Sequence, residues 1–215
     1  MVHPFAADRA VVIVAHPDDE TLWCGGLILE HPDTEWHVVG LCRGDDPDRA
    51  PRFDAAMTYL GAAGTLGTLD DGPDQHPLPP AAVASTILTL CPPRAFDLAL
   101  THGPLGEYTR HRRHEECGRA AVDLWASGQL RAPAFWMFAY EDGGRAYPPR
   151  PRRDADRRFA LAEHTCARKR HLIERVYGFA PTSWEAEAVT DVEGFWCFDT
   201  ASDAVQRIRA VGSVS

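Results

Sequence analysis

The sequence predicts an α/β protein of the Rossmann-like, doubly wound type, a mostly parallel sheet flanked by helices. It forms a single domain over residues 1–215. Three observations carry this. Short β-branched apolar runs recur along the chain, and each reads as a strand buried on both faces. Between them lie stretches whose apolar residues fall at helical spacing. Gly, Pro and Asp punctuate the junctions, with no internal repeat and no interdomain linker.

Residues 10–15 are the first strand, and 20–30 carry Leu22, Trp23, Leu27 and Ile28 at helical spacing. Gly25 and Gly26 are unfavourable inside a helix, so they mark either close packing against a strand or backbone lying near a ligand. Residues 36–42 are a strand. Residues 49–62 are a helix, with Phe53, Ala56, Met57 and Leu60 on one face and Gly61 and Gly64 helping to end it. A short strand over 65–69 runs into the turn Asp70-Asp71-Gly72-Pro73. A helix with proline near its start covers 79–90. A strand over 96–101, a helix over 114–126 and a strand over 134–139 continue the alternation. Residues 143–158 read as a loop, and a helix resumes over 159–176, where His164 and His171 read as surface or core histidines.

The bulk composition narrows the function. An apolar fraction of 45% and a charged fraction of 25% are those of an ordinary globular protein. A net charge of −9 argues against nucleic acid as a partner. No apolar run approaches a membrane span, and the N-terminal residues lack the pattern of a signal peptide, so a cytoplasmic location is expected. The six cysteines show no CxxC pairing and read as reduced, buried thiols.

The most informative stretch is the end of the first strand, where Val11–Val14 runs into Ala15-His16-Pro17-Asp18-Asp19-Glu20. In open α/β sheets the chemistry sits where strands end. An imidazole and a carboxylate three residues apart can take two corners of a metal site, leaving a second carboxylate to work on water. Pro17 stiffens the turn. A polar turn before a helix N-terminus would account for the acids, but not for the His-Pro that precedes them. A further ligand is best sought after the strand 96–101, where His111 and His114 lie three apart just before a helix and His102 follows Thr101 directly.

The segment Ala15-His16-Pro17-Asp18-Asp19-Glu20, with Thr21 and Cys24-Gly25-Gly26, resembles the opening motif of the PIG-L / LmbE-like family of zinc-dependent N-acetylglucosamine deacetylases. Thr101-His102, Gly106, Tyr108 and His111-Arg112-Arg113-His114 resemble its second motif. The resemblance implies His16, Asp19 and His114 as ligands of Zn2+ or another divalent metal, and Asp18 as general base. It also implies His111 as a catalytic group beside the reacting carbonyl and Tyr108 as a donor to the oxyanion. Arg43 and His102 are expected near the substrate, His102 alternatively as a supporting or strand-end residue. The pair Arg112-Arg113 departs from the family's usual Pro-Asp, whose Asp can support the neighbouring histidine; Glu115 or Glu116 could substitute. Leu161-Ala162-Glu163-His164 resembles a late family segment.

The function expected is metal-dependent hydrolysis of an N-acyl group, N-acetyl first, on a GlcNAc-type amino-sugar conjugate. Two alternatives stay open: a metal hydrolase acting on another amide or ester, and an inactive carbohydrate-binding member. A nucleotide-binding domain is disfavoured, because the first strand lacks a following G-x-G-x-x-G cradle. The resemblance permits a homo-oligomer. Six arginines and three prolines crowd residues 143–158, a solvated loop or a rim that attracts an anionic substrate.

Overall fold

The computed structural model describes residues 5–212. Strands and helices alternate through β1 (Arg9–Val14), α1 (Asp19–Glu30), β2 (Glu35–Cys42), α2 (Arg49–Leu60), β3 (Ala63–Leu69), α3 (Pro80–Leu90), β4 (Leu98–Thr101), α4 (Arg112–Ala126) and β5 (Ala134–Phe138). The chain then turns irregular, with the two-residue strands β6 (Tyr140–Glu141) and β7 (Arg150–Pro151). It continues through β8 (Arg157–Ala160), α5 (Glu163–His171), α6 (Trp184–Glu187), β9 (Val192–Phe198) and α7 (Ala201–Gly212).

One seven-stranded sheet runs in the order β3-β2-β1-β4-β5-β9-β8. The first five strands are parallel, and β9 and β8 add an antiparallel edge. Side chains alternate across each strand. Val12 and Val14 therefore join the core layer of α1 and α2, while Val11 and Ile13 join that of α3, α4 and α7. The doubly wound, mostly parallel architecture is as predicted. Strand order reverses between β1 and β4, which opens a crevice at their carboxyl ends, where α/β sheets bind ligands. Among the described residues no helix is long and apolar enough to cross a membrane.

The reading of the later chain needs correction. Residues 143–158 are not all loop, since they contain β7 and the start of β8, and the helix expected from 159 begins only at Glu163. Burial alternates along β8, where Phe159 stacks on Trp136 and meets Phe195 edge-on. Four residues of period two were too short a signal beside a longer helix. The strand β9, paired between β5 and β8, is likewise absent from the sequence reading.

Gly26 belongs to close packing. A Cβ there would meet Leu161 Cδ1 at 2.4 Å and Glu193 Oε1 at 2.9 Å. The buried Glu193 carboxylate comes in from β9 and accepts from the Gly26 and Leu27 amides, both at 2.7 Å. Its charge is balanced by buried Lys169, whose Nζ lies 2.6 Å from Oε1 and also donates to the Leu22 carbonyl. Tyr140 donates to the Trp23 carbonyl. The helix after the first motif is thus gripped from the antiparallel edge.

Candidate active site

The first half of the site follows β1. Pro17 leads into Asp18, the N-cap of α1, whose φ of +111° lies in the left-handed region. Such a backbone in a non-glycine residue stores about 1–3 kcal/mol and persists only where its surroundings hold it. Here the Asp18 amide donates to Glu20 Oε2 at 3.1 Å, and Glu20 is held by Thr21 Oγ1 and the Tyr177 hydroxyl. The turn places His16 and Asp19 side by side: the His16 amide donates to Asp19 Oδ2 at 2.8 Å, and Nδ1 lies 3.1 Å from the same oxygen. Trp23 Nε1 donates to Asp19 Oδ1.

The second half follows β4. His102 and His114 stack with ring centroids 3.9 Å apart. Beneath them the buried Glu107 accepts from His102 Nδ1 at 2.7 Å, His114 Nδ1 at 2.6 Å and the Gly103 amide at 2.8 Å. With its Nδ1 proton donated to Glu107, His114 turns the lone pair of Nε2 into the crevice. On the other side His16 Nε2 lies 3.1 Å from Asp71 Oδ1, which frees the Nδ1 lone pair. His16 Nδ1 then lies 3.1 Å from Asp19 Oδ2 and 3.2 Å from His114 Nε2, which lies 3.3 Å from the other carboxylate oxygen, Asp19 Oδ1. Ligands about 2.0–2.1 Å from a tetrahedral ion are separated by about 3.3–3.4 Å, so this donor set fits a divalent metal.

The electrostatics agree. Burial opposes charge on His16, yet its hydrogen bonds to Asp19 and Asp71 carry its pKa up to about 10, so the crevice attracts positive charge. Burial also works against Asp19, but the imidazoles of His114 and His102 hold its carboxyl well below the usual range. Glu107 is pushed to about 2 by His102 and His114 in spite of its burial. His102 is pulled up to about 9 by Glu107 and Asp19 against its burial. We read it as neutral, because the Ala15 amide donates to its Nε2 at 2.9 Å, where a second N–H would repel it. Asp18 is raised well above the carboxylate range, by burial first and Asp19 next.

His111 caps α4 with its ring centroid 4.9 Å from that of His16, and its buried Nδ1 has no hydrogen-bond partner. Burial and the neighbouring His114 and His16 push its pKa down to about 3. Tyr108 stands 5.5 Å from the His114 ring, its phenol pushed up by burial and by Asp19. These groups open on a cleft of about 240 Å3 that Arg43 and Asp71 also line. Arg43 grips Asp71 with Nη2 at 2.7 Å and Nε at 2.9 Å. Cys42 also lies near His16 and Asp71, but Asp71 is already taken by Arg43 and Gln75.

The structure therefore gathers His16, Asp18, Asp19, Tyr108, His111, His114 and Arg43 around one crevice. His102 differs from the expected substrate contact. It is fully buried behind Asp19 and His114, where it supports both. Neither Glu115 nor Glu116 fills the expected place beside His111, for Glu115 pairs with Arg110 and Glu116 with Arg113. Arg113 is itself buried and donates to the Asp70 and His76 carbonyls, tying α4 to the loop that presents Asp71. Sequence reasoning missed Glu107 and Asp71. The one available signal for Glu107 is its place between His102 and His111, and Asp71 reads only as part of a turn.

Comparison with known proteins decides the family. The family model PIG-L, described as GlcNAc-PI de-N-acetylase, matches residues 11–125. The chain belongs to the PIG-L family. No curated protein matches it in sequence. Among solved structures this PIG-L chain is similar to an N,N'-diacetylchitobiose deacetylase from Pyrococcus horikoshii, with TM-score 0.69, 16% identity, and 90% of this chain and 84% of the other covered. It is also similar to a zinc-inhibited form of teicoplanin deacetylase, with TM-score 0.57 and 16% identity over 79% and 84% of the two chains. A third similar structure is the 4-carboxy-2-hydroxymuconate hydratase of Pseudomonas putida, with TM-score 0.58 and 16% identity over 88% and 95%. At such identities the likeness is one of fold, and the fold alone does not choose between a deacetylase and a hydratase.

Proposed function

We propose that this PIG-L protein is a metal-dependent hydrolase that removes an N-acetyl group from a GlcNAc-type amino-sugar conjugate, with Zn2+ as the ion. The observation that carries the reading is the convergence of His16 Nδ1, the Asp19 carboxylate and His114 Nε2, with Asp18 outside that donor set beside it. A divalent ion bound there supplies Lewis acidity and lowers the pKa of water from about 15.7 towards ~7.

The chain's own groups divide the remaining work. Asp18, raised by its buried position, takes the proton of the attacking water as the acyl carbon becomes tetrahedral. His111, held neutral, and Tyr108, held protonated, donate hydrogen bonds to the oxyanion. Asp18 then returns its proton to the departing amine, since His111 is not held as an imidazolium. Arg43, anchored on Asp71 at the rim, is a donor suited to sugar hydroxyls. Arg113 is spent on the Asp70 and His76 carbonyls and on Glu116, and Arg112 is exposed, so the departure from Pro-Asp leaves no unmatched buried charge beside His111, which supports an active enzyme over an inactive binder.

Metal analysis of the purified protein, coupled to amine release from a panel of N-acetylglucosaminides, tests the reading. About one zinc per chain and metal-dependent amine release are expected. Tightly bound metal without amine release from any member would sink it.

A further inference from the structure

His16 has two ring nitrogens, and the candidate catalytic donor set uses one of them. Nδ1 faces Asp19 and His114, while Nε2 points the opposite way, 3.1 Å from Asp71 Oδ1. Cys42 belongs to that second side. Its Sγ, a His16 nitrogen and an Asp71 oxygen all fall within 4.8 Å of one another. Among the described residues Cys42 is the one cysteine in such a group.

The sheet builds the group from three neighbouring strand ends. His16 follows β1, Cys42 closes β2 and Asp71 follows β3, and these strands stand side by side. The Cys42 amide donates to the Ala15 carbonyl at 2.9 Å, which fixes its backbone beside that of His16. A register shift between Gly40 and Cys42 interrupts the β2–β3 ladder at this point. Arg43 grips Asp71 by Oδ2 and so leaves Oδ1 turned towards His16.

Gln75 supplies an independent observation. Its buried Oε1 has no hydrogen-bond partner, while Nε2 donates to Asp71 Oδ1 at 2.9 Å. Turning that amide over exchanges a donor for an acceptor beside Oδ1 with no change in shape. The first arrangement suits a bare carboxylate, and the second suits a cation bound to it. Burial and the Asp71 carboxylate push the Cys42 thiol up to about 12, so without an ion it keeps its proton. A dication between sulfur and carboxylate turns that repulsion into shared ligation and takes the sulfur as thiolate.

We propose that His16 Nε2, Cys42 Sγ and Asp71 Oδ1, joined by Gln75 Oε1, form a second metal site for a soft or borderline divalent ion such as Zn2+, Co2+ or Cd2+. Sulfur selects such ions over Mg2+ and Ca2+. Binding releases the thiol proton of Cys42 and the Nε2 proton of His16, whose ring then bridges two ions. Asp71 already serves Arg43 and Gln75, and an ion on Nδ1 repels a second, so this site fills last. That order rests on the metal reading above, whereas the donor set itself does not. A second ion also withdraws Asp71 from His16 and so alters the imidazole on which the first depends.

Anaerobic titration of the metal-free protein with Co2+ tests the site without turnover. Thiolate-to-cobalt charge transfer absorbs in the near ultraviolet, and the first donor set contains no sulfur. The band should be absent up to about one equivalent, then grow with a second that binds at least about tenfold more weakly. Cys42→Ser should lose the band and keep the first equivalent, followed by the visible absorption of bound cobalt. Gln75→Leu, which spares the three main ligands and guards against misfolding, should weaken the second equivalent about tenfold. No band at any excess of cobalt, a band within the first equivalent, or a band that survives in Cys42→Ser would each overturn the site. Amine release with no such band would remove this site and leave the deacetylase; a Cys42-dependent band without amine release would do the reverse.

Discussion

Glu107 lies 2.6 Å from Nδ1 of His114 and, through the same oxygen, 2.7 Å from Nδ1 of His102. One buried carboxylate therefore sets the tautomer of both imidazoles and aims Nε2 of His114 at Asp19 and His16. Such a partner commonly governs metal affinity as strongly as some ligands do.

Replacing Glu107 with Gln keeps its shape but removes its charge. Metal affinity should fall about 10–100-fold, the usual worth of a carboxylate behind a ligating histidine. Competition with a chelator of known affinity measures it. Unchanged affinity would show that His114 needs no orienting partner.

The same carboxylate makes a pH prediction. Its folded pKa of about 2 lies below the ordinary 4.5, so its contribution is fully present above pH 4.5 and is lost as pH falls through about 2. Urea titrations of the metal-free protein between about pH 5 and pH 2 should show a shallower loss of stability in Glu107→Gln than in the parent. Parallel curves would remove Glu107 from the acid sensitivity.

Asp18 and His16 should separate chemistry from metal binding. Asp18→Asn should keep the metal while kcat falls by about 10²–10⁴-fold, and His16→Ala should lose both. Equal metal loss in the two variants, read by elemental analysis, would make Asp18 a ligand.

Gly26→Ala should destabilise the fold by about 1–3 kcal/mol, because the new methyl must displace Leu161 and the tethered Glu193 carboxylate. Denaturant midpoints measure this. A neutral result would mean that α1 can slide away from β9.

Much of this was legible in sequence because the signals were local. Ala10–Val14 carries an uninterrupted apolar run, and the histidine and carboxylates of the first motif follow it within six residues. The spacing of His111 and His114 at the start of α4 was equally local. What escaped depended on contacts between distant segments. Glu107 sits in an irregular loop whose backbone offers no period, and Asp71 reaches His16 from fifty-five residues away. The charge run 143–158 looked like a field for anions, but cation–π stacking and ion pairs at the sheet edge consume half of its six arginines. No pattern in a single sequence shows which charges are already matched.

The grip of Glu193 on α1 bears on how such a protein can be recombined. Every candidate ligand and the candidate base lie within 11–125, which looks like a transplantable cassette. It is not one, because the helix that begins at Asp19 is anchored by Glu193 and Lys169, and the turn before it by Tyr177 acting through Glu20. A chimera that takes its last third from a relative inherits a working crevice only if those three anchors come with it. Trp184 adds a fourth contact from the same region, its ring 6.4 Å from that of Trp23 on the anchored helix.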